Sequence, residues 1–594
     1  MNKSSSNEEM SCNRWMNISN VFGFLSVLVA LGLLFSGSLS QDQMREVFGK
    51  TTYYILWIVF LVWIVQFGIY LKSINFSFIE FISESWPVLI FAAILTVMIA
   101  ISNPPKLRVL SDETNLASVS RSMLENKNVF NYVIGKNFFF TFTPIESEIE
   151  KRPMLFPFVV HLFHQVRGYS VKNLFALNLS LHFALLASVG ILVRRAFKSM
   201  DSWGSDRVWI AAVILVLQSP ILTLAATSGG FDLFSACFLG WTLIVMSHFI
   251  KQQTQECFAF LWINLLLLAH ARYESFIYSV IIITGLLCYR RLHRDLFARF
   301  SYVYLLTALA MVPLIFQRIL SRGKYENPPG VDVFSTKHFL LNCRHFLEAI
   351  SDTTFFYPYP GLLLWFSLLL IPFLAIALKR NRFLRNNVEL RHVAFIVLCC
   401  LCAYIVTVLS YYMGDPQHPT SARFFVMPVV VMSLLPVIAH GVWPHIFKQR
   451  LLIAGSVGLF MLYGPVASGD RFTQSLELIR ETEHARSYIE SLKDRNLFII
   501  ADRPGIYTAF KYGAADFDYA NKHKGELLAE LRNNLYREII VLQQVQYDNN
   551  NPFPMQMLDP EYILNPPLAE YQITGDYYLR ISNIKKAAGT EREK

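Results

Sequence analysis

Long apolar stretches alternate with short polar ones along most of the chain. Thirteen of these stretches approach or reach the length of a transmembrane helix, which needs roughly 17–25 apolar residues. They lie at about 20–36, 52–71, 86–102, 173–193, 208–226, 231–249, 257–270, 275–289, 300–319, 361–378, 392–412, 424–441 and 451–467. The pattern predicts a polytopic α-helical membrane protein with about thirteen transmembrane helices. The first stretch resembles a signal peptide, but a second span follows at once, which favours an uncleaved anchor.

Three polar regions are too long to be turns between helices. They cover 103–171, about 320–360, and the tail from 467 onward. In the first region, four apolar residues recur at helical spacing, namely Leu116, Val119, Met123 and Leu124. This spacing predicts an amphipathic helix that lies on the membrane surface.

The tail has a different pattern from the rest of the chain. Helical segments such as GELLAELRNNL alternate there with short apolar runs such as NLFIIAD and REIIVLQQV. The alternation predicts a small α/β domain. The chain therefore divides into an N-terminal tail with three helices (1–102), a first exterior loop (103–172), a transmembrane core (173–467) and the α/β domain (468–594).

Charge and composition add one expectation to this picture, the orientation of the chain in the membrane. Of the 594 residues, 16% are charged, against about a quarter in soluble proteins. The net charge of +10 does not imply nucleic-acid binding, because thirteen Lys and Arg residues fall in the loops at 193–207, 289–299 and 378–391. Loops rich in Lys and Arg face the cytoplasm. The N-terminus is therefore expected in the cytoplasm and, after an odd number of spans, the tail outside it.

Two adjacent carboxylates, Asp112 and Glu113, stand at the start of the first exterior loop. Acids in the first turn of a helix complement its dipole, and Ser111 is a possible cap, so a purely structural role is the simpler interpretation. Further along the same loop, Glu150, Lys151 and Arg152 precede Pro153, which interrupts helical backbone. These three charges are expected at the membrane boundary, where they either form a solvated loop or take part in catalysis.

Four strings, taken in order, resemble one family. DETNLASVSRSML, EKRPML, LLAHARYESFIY and ARFFVMPVV are similar to strings of the GT-C glycosyltransferase superfamily. The branch they resemble contains the bacterial aminoarabinose transferases of lipid A and the protein O-mannosyltransferases. The resemblance covers about 102–428. Two positions depart from it: Asn115 stands where many relatives have Arg, and Arg152 where they have a second proline.

The resemblance implies an inverting enzyme that moves a hexose or pentose from a polyprenyl-phosphate donor to a lipid-linked glycan, lipopolysaccharide or protein. It would work in the lipid bilayer of the bacterial inner membrane, on the periplasmic side. Asp112 is the expected general base, with Glu150 and Glu113 as the other catalytic carboxylates.

Cations would stabilise the leaving phosphate. The candidates are Lys151, Arg152, Arg272 and Arg423, while Asp232 is the candidate for binding sugar hydroxyls. Arg272 is equally well explained as an interfacial anchor. No cofactor is required by the sequence, but some relatives bind a divalent cation, and His161 and His164 lie three residues apart near Glu150. A metal is therefore left open, although buried, hydrogen-bonded histidines are the simpler interpretation.

Two other functions fit the same composition. A transporter or flippase of lipid-linked saccharides would show internal repeats and charged or broken helices near the bilayer midplane. A catalytically inactive GT-C relative would be consistent with the departures at Asn115 and Arg152.

Overall fold

The computed structural model describes Gly32, Gly37 and residues 39–138, 141–198, 207–289, 301–320, 331–380, 388–492 and 496–586. The first predicted span, 20–36, and the polar N-terminus lie almost wholly outside these residues. Each of the other twelve predicted spans coincides with helical structure. Hydrophobic periodicity therefore located the helices correctly, to within a few residues at their ends.

Helices dominate the first 475 residues. In chain order they are α1 Gln41–Ser73, α2 Phe78–Ser102, α3 Ser111–Glu125, α4 Leu155–Arg167, α5 Lys172–Lys198, α6 Val208–Leu217, α7 Pro220–Ala226, α8 Asp232–Gln252, α9 Gln255–Ala269, α10 Ser275–Leu287, α11 Ser301–Leu320, α12 Thr336–Ile350, α13 Gly361–Arg380, α14 Val388–Ser410, α15 Val426–Ser433, α16 Leu435–Val442, α17 Gln449–Gly469 and α18 Arg471–Gln474.

Length and apolarity decide which of these helices suit a membrane. Among the described residues, seven spans are long and apolar enough to cross one, or eight if α6 and α7 form a single span bent by 73°. Four shorter apolar helices lie within α9, α10, α11 and α13. The bend follows from Pro220, which cannot donate the backbone hydrogen bond that would continue α6 but is well suited to the first position of α7. The protein is thus built as a membrane protein, while the count of about thirteen spans stays a prediction.

The loops divide between two ends of the helix bundle. At one end, the backbone N–H of Lys106 donates to Thr227 (3.1 Å) and that of Leu155 to His270 (3.3 Å). At the other end, Tyr70 contacts the ring of His248 at 3.1 Å. The first end, which we call the site end, thus collects the loops after α2, α7 and α9. Polar residues far apart in sequence are brought together there.

A seven-stranded sheet covers the site end, in the order β2-β1-β4-β3-β5-β7-β6. The predicted tail domain is present and supplies five strands with four helices between or before them. The other two strands form a hairpin from the first exterior loop, which the periodicity did not predict. The elements are β1 Phe130–Phe138, β2 Thr141–Ile149, α19 Glu477–Ser491, β3 Leu497–Ile500, α20 Gly505–Ala509, β4 Gly513–Ala515, α21 Phe517–Lys522, α22 Lys524–Arg532, β5 Glu538–Gln546, β6 Ala569–Gln572 and β7 Tyr577–Asn583.

The predicted amphipathic helix is α3, but it is enclosed by protein and does not lie on the membrane surface. Leu116, Val119 and Met123 are buried in the core, and so is its serine-bearing face. Burial of that face is possible because its hydroxyls find partners: Ser118 accepts from the N–H of Tyr132 (2.8 Å), and Ser120 contacts a ring nitrogen of His164 (3.0 Å). A serine-rich face looks solvent-exposed in the sequence, but satisfied hydroxyls can be buried at little cost.

Arg121 joins α3 to the tail domain. Its Nη1 donates to the carbonyl oxygen of Thr508 in α20 (3.0 Å), and its Nε donates to both carboxylate oxygens of Glu125. The guanidinium lies 4.0 Å from the ring centre of Phe142 in β2. One buried cation thus touches α3, the hairpin and the tail domain.

We predict that Arg121→Met destabilises the docking of the tail domain on α3. The variant loses a charge-assisted hydrogen bond, so we expect the free energy of unfolding to fall by about 2–3 kcal/mol. Thermal unfolding in detergent measures the loss of stability, and limited proteolysis of the tail measures the loss of docking. Arg486→Met is the matched control, because Arg486 is partly exposed beside Glu490 (2.7 Å) and such a pair contributes less than about 1 kcal/mol. Equal losses in the two variants would contradict the prediction.

Candidate functional site

Seven charged side chains at the site end form an alternating chain of carboxylates and guanidinium groups. Arg152 joins Glu150 (2.5 Å) to Asp112, and Arg423 joins Asp112 to Asp232 (3.3 Å). Arg272 then joins Asp232 (2.8 Å) to Glu274 (2.6 Å). Opposite charges therefore neighbour each other along the whole series, which we call the charge chain.

Five separate places in the fold supply the charge chain. Asp112 is the second residue of α3, Asp232 the first of α8, and Arg423 lies in the turn of 3-10 helix Ala422–Phe425 before α15. The pair Glu150 and Arg152 follows β2, on the irregular backbone predicted before Pro153. The pair Arg272 and Glu274 lies in the turn between α9 and α10. All seven residues are close to a helix end because α-helical membrane segments leave polar loops only there.

The charge chain is almost completely enclosed. The side chains of Glu150, Asp232 and Arg272 expose 6% of their surface or less, and Asp112 exposes 16%. Isolated charges in such surroundings would be very costly, but alternation gives each a partner. Of the three central members, Asp112 and Arg423 (14% exposed) are more accessible than Asp232. A ligand arriving from solvent would meet these two first.

Asp112 is held as an anion by two guanidinium groups. Burial alone would raise its pKa, but Arg423 and Arg152 outweigh burial and lower the pKa to about 2. Lys151 adds to the same effect; burial and the charge of Arg152 lower its own pKa. Asp112 is thus ionised at neutral pH and is a weak base while both arginines hold it.

Glu113 points away from its neighbour. Its carboxylate accepts hydrogen bonds from the backbone N–H groups of Arg108 (2.6 Å), Val109 (2.8 Å) and Gly229 (2.6 Å). Burial raises the pKa of Glu113, although these three N–H groups act in the opposite direction. Glu113 therefore ties the turn before α3 to the loop after α7 and does not join the charge chain.

The turn that Glu113 holds is strained. Leu110 has a φ of 38°, in the left-handed region that residues with a side chain rarely adopt. Ser111, the expected cap, is the first helical residue, and α3 has no side-chain cap hydrogen bond. Strained backbone beside a charged site is typical of positions whose geometry matters for function. The turn directs Asp112 towards Arg152 and Arg423.

Glu150 is fixed by the two residues that depart from the relatives' strings. Asn115 donates to its Oε2 (2.8 Å), and Arg152 Nη1 donates to its Oε1. Gln317 of α11 donates to the backbone carbonyls of Glu150 (2.7 Å) and Arg152 (2.6 Å). Asn115 and Arg152 are therefore parts of one built arrangement around Glu150.

The other end of the charge chain includes an acid that the sequence analysis missed. Glu274 was not considered, although it stands in the same short polar interval between apolar helices as Arg272. The ring of Phe424 lies 4.6 Å from the guanidinium carbon of Arg272 and 5.4 Å from that of Arg423. An aromatic face between two cations favours both positions.

A small cavity of about 30 Å³ lies beside Arg423 and Asp232. It lies between α7, the turn before α3, the segment before α15 and α18. A cavity of this size holds about two water molecules, so the described side chains fill most of the space beside the charge chain.

The two candidate metal ligands on α4 have other partners. His161 contacts Gln165 (2.9 Å), and His164 contacts Ser120 (3.0 Å) and Asn173 (2.7 Å). Burial lowers the pKa of His161 to about 4 and that of His164 to about 3, so both rings are neutral at pH 7. Within the described residues, no group of three or more His, Cys, Asp and Glu side chains is arranged to hold a metal ion.

Most of the residues selected from the sequence thus meet in one place. Asp112, Glu150, Arg152, Asp232, Arg272 and Arg423 belong to the charge chain, and Lys151 lies beside it. Glu113 and the two histidines lie elsewhere. Besides Glu274, the residues missed are Arg108 and Asp470, a buried ion pair (3.1 Å) beside the cavity. Neither residue belongs to the four strings that resemble the GT-C family.

Comparison with known proteins finds similarity in structure only. No family model matches the sequence, and no curated protein matches it. Two crystal structures of ArnT from Cupriavidus metallidurans are similar, in the apo state (12% identity) and bound to undecaprenyl phosphate (11% identity). Each has a TM-score of 0.48, and each match covers 84% of this chain and 98% of the other.

We predict a pH-dependent stability contribution from Asp112. Its pKa in the folded protein, about 2, lies below the ordinary value of 3.8 for an aspartate carboxyl group. Its ion pairs therefore stabilise the fold above pH 4 and lose this effect as the pH falls towards 2. Asp112→Asn should be about 2 kcal/mol less stable than the wild type at pH 7, and the difference should shrink below pH 4. Thermal unfolding of both proteins from pH 7 to pH 2.5 measures the difference in stability. A difference that stays constant with pH would contradict the prediction.

Proposed function

We propose that the chain is an inverting glycosyltransferase that uses a polyprenyl-phosphate sugar as donor and works at the non-cytoplasmic face of the membrane. The observation that carries the proposal is the position of Asp112 between Arg152 and Arg423, partly accessible, next to a small cavity. Such a transfer needs a base for the attacking hydroxyl and cations for the leaving phosphate. Asp112 and its two arginines, at the end of a helix bundle, can supply both. The order of the four sequence strings supports the same reaction class.

The reaction needs a group that accepts the proton of the attacking hydroxyl. Asp112 takes this proton while the acceptor oxygen forms its bond to the anomeric carbon. The bond from that carbon to the phosphate oxygen breaks, and polyprenyl phosphate leaves. A single direct displacement inverts the anomeric carbon. Glu150 is enclosed and bound to Asn115 and Arg152, so its role in this scheme is to position Arg152.

The leaving phosphate gains negative charge as its bond to carbon breaks. Arg423 and Arg272 can share that charge across the face of Phe424, with Lys151 and Arg152 on the other side of Asp112. Cations in an enclosed site stabilise a developing anion far more than they would in water. Asp232 and Glu274 keep Arg272 in place before the donor arrives.

Donor binding would also strengthen the base. The phosphate competes with Asp112 for Arg423 and Arg152, because both are held by that carboxylate in the free protein. When these arginines turn towards the phosphate, the pKa of Asp112 rises from about 2 towards the ordinary value of a carboxyl group. In the free enzyme, Asp112 is too weak a base to deprotonate other hydroxyls. With the donor bound, Asp112 becomes basic enough to take the proton of the acceptor hydroxyl.

The bacterial inner membrane is the proposed location, with the N-terminus in the cytoplasm and the tail domain in the periplasm. Arg194, Arg195 and Lys198 at the end of α5 contact Glu84 near the start of α2, at the end of the bundle opposite the site, and these cations support this orientation. The acceptor is a lipid-linked glycan, a lipopolysaccharide or a protein. A transporter of lipid-linked saccharides is less well supported, since the charge chain gathers at one end of the helices and transporter sites lie near the midplane.

We predict that purified protein transfers label from a radiolabelled polyprenyl-phosphate sugar to an acceptor in membrane extract. Asp112→Asn should reduce transfer by about a thousandfold or more, because no base remains, while still binding the donor. The double variant Lys151→Ala with Arg272→Ala should instead weaken donor binding, and by more than either single change. Glu46→Gln, an exposed acid of α1 that pairs with Lys50 (2.6 Å) outside the site, is the control. Undiminished transfer by Asp112→Asn would refute its role as base.

We predict that a reporter fused after Lys594 gives a non-cytoplasmic signal. Alkaline phosphatase, which is active only outside the cytoplasm, should be active there, because the tail domain shares the site end of the bundle. Fusion after Asn75, in the turn between α1 and α2 at the opposite end, should be inactive. A cytoplasmic signal from the Lys594 fusion would overturn the proposed orientation.

A further inference from the structure

Asp470 is a buried acid that lies outside the charge chain. It stands between α17, the last long helix of the bundle, and α18, which leads into the tail domain. Its side chain is 4% exposed, and its Oδ2 lies 3.1 Å from Arg108 Nη1 and 3.0 Å from Lys106 Nζ. Both cations belong to residues 106–110, the turn before α3 that leads to Asp112. One carboxylate therefore joins the end of α17 to the segment that carries the proposed base.

Asp470 is held in one orientation by the residues that follow it. The hydroxyl of Thr473 donates to Asp470 Oδ1, and the backbone N–H of Gln474 donates to the Asp470 carbonyl oxygen (3.3 Å). The φ of Asp470 is 43°, in the left-handed region, where aspartate occurs more often than most residues with a side chain. The acid is therefore a fixed point of attachment, unlike a carboxylate on a free surface.

The turn before α3 has unfilled space on two sides. Arg108 and Val109 line the small cavity of about 30 Å³ beside the charge chain. Lys106, Leu107 and Leu110 line a second cavity, of about 180 Å³, between the turn and α19. A segment beside two cavities lacks some of the packing contacts that would otherwise fix it. The position of the turn therefore depends strongly on its polar contacts.

Two carboxylates hold the turn through polar contacts. Glu113 accepts from the backbone N–H groups of Arg108 (2.6 Å) and Val109 (2.8 Å), whereas Asp470 faces the side chain of Arg108. That side chain is 2% exposed. Removal of the Asp470 charge would therefore leave a buried cation without its partner, which favours a shift of the turn that brings the cation to water. The two cavities leave room for such a shift.

We infer that Asp470 is a positioning residue for the proposed reaction: by holding Arg108 it fixes the turn before α3 and so orients Asp112 within the charge chain. The inference rests on the proposed function, since Asp112 acts as a base only in that reaction. The N–H of Asp112 donates to the carbonyl oxygen of Val109 (3.2 Å), so a shift of the turn moves the start of α3 directly. The geometry of the base is thereby linked to the attachment of the tail domain at the end of α17.

Asp470→Asn tests this inference, because it removes the charge and keeps the shape of the side chain. Transfer at saturating donor should fall about tenfold or more, since a misplacement of about 1 Å can cost a hundredfold in rate. Binding of radiolabelled undecaprenyl phosphate in nanodiscs should stay within about twofold. Glu483→Gln is the matched control: it removes a more exposed acid that also faces Lys106 (3.7 Å), and it should transfer like the wild type. Transfer by Asp470→Asn at the wild-type rate would overturn the inference.

A double variant separates positioning from stability. Asp470→Asn alone should lower the Tm, because the buried cation of Arg108 is left unpaired. Addition of Arg108→Met removes that cation, so the Tm should recover, as when a buried ion pair is replaced by neutral groups. Transfer should stay low, because neither side chain then holds the turn. Recovery of transfer together with the Tm would show that Asp470 only stabilises the fold, and would overturn the inference.

The link between Asp470 and Asp112 can also be measured without the reaction. In the Asp470→Asn background, Asp112→Asn should lower the Tm at pH 7 by about half as much as in the wild type, because the shifted turn has already weakened the ion pairs of Asp112. In the Glu483→Gln background the loss should be as large as in the wild type. Additive losses for Asp470→Asn and Asp112→Asn would overturn the inference. If the losses are not additive but the wild type transfers no label, the proposed function fails by itself, while Asp470 still orients Asp112.

Discussion

Mutual neutralisation of buried charges is the constraint on which the site depends. Three guanidinium groups and four carboxylates share a space with little access to water, and each is tolerable only because its neighbours carry the opposite charge. The loss of one member would leave others unpaired in a medium of low dielectric constant. The same arrangement makes the site responsive, since an arriving phosphate must rearrange ion pairs that already exist. Binding and activation are thereby coupled through Asp112.

Helix ends give this arrangement its precision. Asp112, Asp232 and Arg423 each lie at or next to the beginning of a helix, and the turn at Arg272 joins two more. A helix in a bilayer has little freedom along its axis, because its apolar length must match the membrane. The end of the bundle is therefore a rigid rim for charged side chains. Glu113 adds to this rigidity by tying the strained turn at Leu110 to the loop at Gly229.

The parts of the structure that could be predicted are those with strong local signals. Hydrophobic runs located the helices, and charges beside apolar segments identified Asp112, Arg152, Arg272 and Arg423. The hairpin β1–β2 was missed because Pro144 interrupts its pattern; proline is tolerated there since β2 is an edge strand. The burial of α3 was missed because partners for its serines come from other elements. Arg108 and Asp470 are 362 positions apart in sequence, so their pairing has no local signal.

The sheet also bears on how the protein is made. Hairpin β1–β2 is synthesised early, but β4, the strand that pairs with β1 at Gly135, follows only after more than 350 further residues. Until then, one side of the hairpin presents unpaired backbone groups outside the membrane, and such edges invite wrong pairing. Contacts so distant along the chain also form slowly. The sheet can therefore be completed only after β3–β7 have been synthesised, and until then the open edge of the hairpin is exposed to wrong pairing.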